Sequence, residues 1–64
     1  MDEMKLTSVK ILKSLYEKFK IKTINTKMSL QKITNRSVYL YLNDDGFKEK
    51  INTLDHLQIS GSNL

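Results

Sequence analysis

Cysteine is absent from the 64 residues, which excludes disulfide staples and thiolate metal sites. Proline is absent too, and the two glycines are too few for a glycine-rich phosphate loop. The single histidine, His56, has no metal-ligand spacing around it and no serine–acid partner by motif. Asp44 and Asp45 are adjacent, which is ordinary for a helix stop and poor geometry for acid–base chemistry. The expectation is a protein that is not an enzyme and takes no cofactor and no metal. No segment approaches the roughly 20 apolar residues of a membrane span. The first residues, MDEMKLTS, carry acids where a signal peptide needs a basic region. A cytoplasmic protein with no membrane partner is the expectation.

A chain this short forms one domain and is marginal alone, burying only about 60% of its unfolded surface. Without disulfides or metal, dimerisation is the remaining common way to enlarge the core. The net charge is +4, from eleven Lys and Arg against seven Asp and Glu. Eight lysines lie in the first half, at Lys5, Lys10, Lys13, Lys18, Lys20, Lys22, Lys27 and Lys32. The acids Asp44, Asp45, Glu49 and Asp55 come later. A basic front half suits a polyanion, although a charge excess also serves plain solubility.

Leu6–Leu12 alternates as a strand does. Thr7, Val9 and Ile11 fall on one side and Leu6, Ser8 and Lys10 on the other. No later segment offers an equally good partner, and a lone strand leaves its N–H and C=O groups unpaired. The expected partner is the same strand of a second copy.

After it, Leu12, Leu15, Phe19 and Thr23 form a helical stripe, with Ile21 on the opposite side. Ser14 is a candidate N-cap, with Leu12 and Lys13 as alternatives. The β-branched run Thr23, Ile24, Thr26 weakens the helix end near Asn25 to Lys27. Ser29 reads as a fresh N-cap, with Met28 placed to staple onto Ile33. Leu30, Ile33, Ser37, Leu40 and Tyr41 then share one face. Val38–Leu42 has strand composition, but the helical frame from Leu30 onward favours helix. Asn43-Asp44-Asp45-Gly46 is a stop signal with Gly46 suited to a left-handed turn. Phe47, Ile51, Leu54 and Leu57 follow at helical spacing, either as a short third helix capped by Asp45 or as a tail that orders against a partner. Ser60-Gly61-Ser62-Asn63 reads as a frayed end.

The order of strand, helix, turn and helix resembles the ribbon-helix-helix family of DNA-binding proteins, of the MetJ and Arc type. The residues that carry the resemblance are Val9-Lys10-Ile11, Leu15, Tyr16, Phe19, Met28-Ser29-Leu30, Ile33, Ser37-Val38 and Tyr41-Leu42. It spans Leu6 to about Asn43. The chain departs from the family in carrying Thr23 where a small residue is common and Thr26-Lys27 where glycine is common.

The resemblance implies a mainly α fold with one short strand: an intertwined homodimer joined by a two-stranded antiparallel intermolecular ribbon. It divides the chain into an N-terminal arm (1–5), a DNA-binding domain (6–45) and a C-terminal tail or third helix (46–64). Within the domain it places a strand at 6–12 and helices at 13–25 and 29–43. It implies a ribbon in the DNA major groove, with Leu6, Ser8 and Lys10 facing bases. Ser29, Leu30 and Gln31 at the start of the second helix would hold a phosphate, flanked by Lys27 and Lys32. Val9, Ile11, Leu15, Phe19, Ile33 and Leu40 would form the dimer core. The function implied is a sequence-specific double-stranded DNA-binding protein, a transcriptional repressor, with higher-order binding on tandem sites. The alternative is an antitoxin whose residues 47–57 bind a protein partner, or a plasmid or phage regulator of the same fold. A small helical dimer with no nucleic-acid role is the bland alternative.

Overall fold

The computed structural model describes residues 2–55 and residue 57. Among these residues three helices follow in order: α1, Lys13–Lys22; α2, Leu30–Asn43; and α3, Asp45–Thr53. Among the described residues there is no β-strand, and this overturns the ribbon-helix-helix architecture expected from the sequence. A strand is defined by its ladder, and no backbone hydrogen bond joins residues 2–11 to any other described segment. Alternation at Leu6–Leu12 reports which side chains share a face. It does not supply a second segment, so the strand at 6–12 and the intermolecular ribbon are both corrected to an irregular N-terminal segment.

α1 begins without a capping side chain. Leu12, and not Ser14, occupies the N-cap position, with φ −54° and ψ 132°. The helix stops at Lys22, three residues short of the span expected to reach 25. Thr23 closes it: the Thr23 N–H and hydroxyl both donate to the Phe19 carbonyl, at 3.0 and 2.8 Å. The turn that follows is held by a second threonine. Thr26 donates through its N–H and its hydroxyl to the Thr23 carbonyl, each at 3.0 Å, and its oxygen accepts from the Met28 N–H at 3.2 Å. Short hydroxyl side chains thus satisfy backbone groups through this turn.

α2 is capped properly. The Ser29 hydroxyl accepts from the Lys32 N–H at 3.1 Å, and the Ser29 carbonyl accepts from the Ile33 N–H at 2.9 Å. Val38–Leu42 lies inside this helix, where the frame set from Leu30 overrides local strand propensity.

One residue separates α2 from α3. The Asp44 N–H donates to the Leu40 carbonyl at 2.8 Å, ending α2. Its carboxylate accepts from the Phe47 N–H at 3.2 Å, starting α3. The cap is therefore Asp44 and not Asp45, and Gly46 sits in the first turn of α3, not in a left-handed turn. His56 and residues 58–64, including the expected frayed end, lie outside the described residues.

α2 and α3 pack on each other, whereas α1 packs on neither. No described residue is fully buried. Leu30, Ser37, Tyr41 and Phe47 are the half-buried residues of the α2–α3 pair, and Leu12, Ser14, Phe19 and Thr23 those of the α1 region.

Candidate nucleic-acid interface

Cations dominate the N-terminal half. Between positions 10 and 22 stand Lys10, Lys13, Lys18, Lys20 and Lys22 against Glu17 alone. At 100° per residue, Lys13 and Lys20 fall on one flank of the Leu12–Leu15–Phe19 stripe and Lys18 and Lys22 on the other. The Lys20 ammonium lies 5.3 Å from the centroid of the Tyr16 ring, within cation–π range. All five lysines are exposed.

At the start of α2 the backbone supplies a different kind of anion affinity. Ser29 takes the Lys32 N–H, leaving the Leu30 and Gln31 N–H groups with no protein acceptor among the described residues. Orphan donors at a helix N-terminus, aligned with the helix dipole, favour a negative group. The Lys32 ammonium donates to the Lys27 carbonyl at 2.8 Å, folding this side chain over the preceding turn. Ser29, Leu30, Gln31, Lys27 and Lys32 therefore sit together, and Leu30 alone of them is half-buried.

Leu6, Ser8 and Lys10 are exposed on the irregular N-terminal segment, Leu6 almost completely at 98%. The structure does not assemble the six expected core residues in one chain. Val9 is 73% exposed and Ile11, Leu15, Ile33 and Leu40 are 37–43% exposed, while Phe19 is half-buried.

A feature missed in the sequence is the second apolar face of α2. Thr34, Val38 and Leu42 recur every four residues beside the Leu30–Ile33–Leu40 face, and Val38 and Leu42 are 55% and 74% exposed. They share an open groove of about 780 Å³ with Met4, Leu6 and Val9 of the N-terminal segment. The signal was the four-residue spacing itself, hidden because one face of α2 already accounted for the helix. The described residues include no group of three His, Cys, Asp or Glu side chains placed to hold a metal ion. No described helix is long and apolar enough to cross a membrane.

No protein-family model, no curated protein and no solved structure matches the chain.

Proposed function

We propose that the chain binds double-stranded DNA sequence-specifically as a homodimer and acts as a transcriptional repressor in the cytoplasm. The observation that carries this reading is the start of α2, where free Leu30 and Gln31 N–H groups stand between Lys27 and Lys32. Such a point suits a phosphate and fixes the register of the protein on the duplex without reading sequence. The cations of α1 extend the same basic half. The irregular segment carries the base contacts: Lys10 donates to guanine O6 and N7, Ser8 donates or accepts, and Leu6 meets a thymine methyl. An irregular arm can reach a groove without being part of a ladder, as N-terminal arms of other DNA-binding domains do.

The homodimer is supported by what one chain leaves uncovered. Val9, Ile11, Leu15, Phe19, Ile33 and Leu40 are apolar, and none is buried in the single chain. Conformational entropy opposes ordering three helices, and apolar burial is the term that offsets it. A second copy offers the same surfaces in return, doubling the charge from +4 to +8 on one DNA site.

Titration of a duplex library at several salt concentrations tests the reading. Log affinity should fall with log salt by about 0.9 per phosphate neutralised. Affinity that is undetectable at low salt, or flat from low to high salt, would rule DNA out.

An interaction role, as an antitoxin, is favoured by one observation: Ile51 of α3 and Leu54 at its C-cap remain 46% and 57% exposed. Against it stands the packing of α3 on α2 of its own chain. Copurification with a small toxin-like protein bound through α3 would select this second reading.

A further inference from the structure

We infer that α1 is a conditional helix: marginal in the free chain, it becomes ordered when duplex DNA neutralises its lysines. The inference rests on the DNA-binding reading and adds how the basic half responds to its ligand.

Packing gives the first reason. α1 touches neither α2 nor α3, so no tertiary contact between helices holds its ten residues in place. Isolated helices shorter than about 12–15 residues are marginal in water because the first turn is costly to nucleate. Within one chain the stripe meant to repay that cost is only partly covered: Leu12 and Phe19 are half-buried, and Leu15 is 37% exposed.

The ends give the second. No side chain caps the N-terminus, and the first turn holds no acid. It holds Lys13 instead, a cation at the positive end of the helix dipole. The basic residues of the last turn, Lys20 and Lys22, are well placed, but both belong to the same excess of charge. α2 and α3 differ on this point, since Ser29 and Asp44 cap them.

Charge spacing gives the third. Lys18 and Lys22 lie four apart on one flank and repel each other in the helix. Glu17 is the one acid in the helix, with Lys13 four residues before it, the weaker orientation, and Lys20 three residues after it, so one acid stands against the four lysines of α1. Phosphates brought alongside remove this repulsion, and they act on the helix more than on the coil because the helix concentrates the charge. The α2–α3 pair depends on it less, since its caps are in place without a ligand. The single chain is thus a formed hairpin carrying a basic segment whose apolar stripe a second copy covers and whose charge DNA neutralises.

Amide hydrogen exchange on the full chain at low salt tests this, with and without a saturating 20-base-pair duplex. In the free chain the amides of Tyr16 to Lys22 should exchange at least about ten-fold faster than those of Leu40 and Tyr41. The duplex should slow the α1 amides by more than it slows those of α2. Lys18→Glu, which replaces repulsion by an attractive pair with Lys22, should raise α1 helicity in the free chain and shrink the gain on binding. Equal protection of α1 and α2 in the free chain would overturn the inference. So would DNA binding, seen by fluorescence anisotropy, that leaves α1 exchange unchanged; that outcome would spare the DNA reading. Inorganic polyphosphate separates the two in the other direction. If it slows α1 exchange while duplex DNA does not bind, the charge coupling stands and the DNA reading falls.

Discussion

The Tyr41 hydroxyl donates to the Asn52 side-chain oxygen at 2.8 Å, tying the C-terminal part of α2 to the last turn of α3 across eleven positions. The same Tyr41 ring has the Lys48 ammonium 6.0 Å from its centroid, so one side chain of α2 meets α3 at two turns. Tyr41→Phe keeps the ring and removes only the hydroxyl. The bond is exposed to solvent, so its loss should cost no more than about 1 kcal/mol. Urea denaturation of the full chain checks the size, and the loss of α3 helicity should exceed that of α2.

Asp44 serves two helices at once, and its carboxylate acts on α3. Asp44→Ala should cost about 1 kcal/mol, as removal of an N-cap does, and Asp44→Asn much less. In a domain of this size 1 kcal/mol moves the melting temperature by about 4–8 °C. An alanine variant as stable as the parent would show that the cap contributes nothing.

Gly46 couples to that cap. A methyl group added at Gly46 would meet the Asp44 Oδ1 at 3.3 Å. Glycine to alanine inside a helix is worth about 1 kcal/mol by propensity, but here the methyl group crowds the capping oxygen. Gly46→Ala alone should therefore come out near neutral. In an Asp44→Ala background it should stabilise by about 1 kcal/mol. A double-mutant cycle in thermal denaturation reads the difference, and additive values would refute the coupling.

Lys10 and Lys32 should fail in different ways. Lys10→Ala removes an exposed cation from the irregular segment, and should weaken the preferred DNA site by about 1–3 kcal/mol with circular dichroism unchanged. Lys32→Ala removes a phosphate-side cation and the bond to the Lys27 carbonyl. It should weaken all sequences alike and lower the salt slope by about 1. Identical behaviour of the two variants would remove the distinction between base and phosphate contacts.

Val9→Pro tests the absence of a ladder. The Val9 N–H makes no backbone hydrogen bond to another described segment, so proline there removes no ladder donor. Helicity of the single chain should stay that of the parent, and any cost should fall on dimerisation, where Val9 is a proposed core residue. Collapse of the fold would mean that this N–H is paired in the protein in solution.

The sequence by itself determined what depends on near neighbours. Ser29 can cap a helix because its hydroxyl reaches an N–H three residues on, and the helical frame of Leu30, Ile33, Ser37 and Leu40 needs only 3.6 residues per turn. The stop after Asn43 is local for the same reason, although the choice of Asp44 over Asp45 turned on one carboxylate's reach. The early end of α1 was half-legible in its β-branched run, and the Thr23 hydroxyl decided it. Tertiary structure alone decided the rest. Alternation at Leu6–Leu12 has the period of a strand, yet a strand requires a second segment at hydrogen-bonding distance, and sequence spacing within seven residues carries no information about one. Likewise Phe47 and Ile51 announced an apolar face, but whether α3 folds back depended on Tyr41 finding Asn52 and on a one-residue connection at Asp44. Contacts between distant residues form only when packing brings them together, and that is a property of the assembled helices.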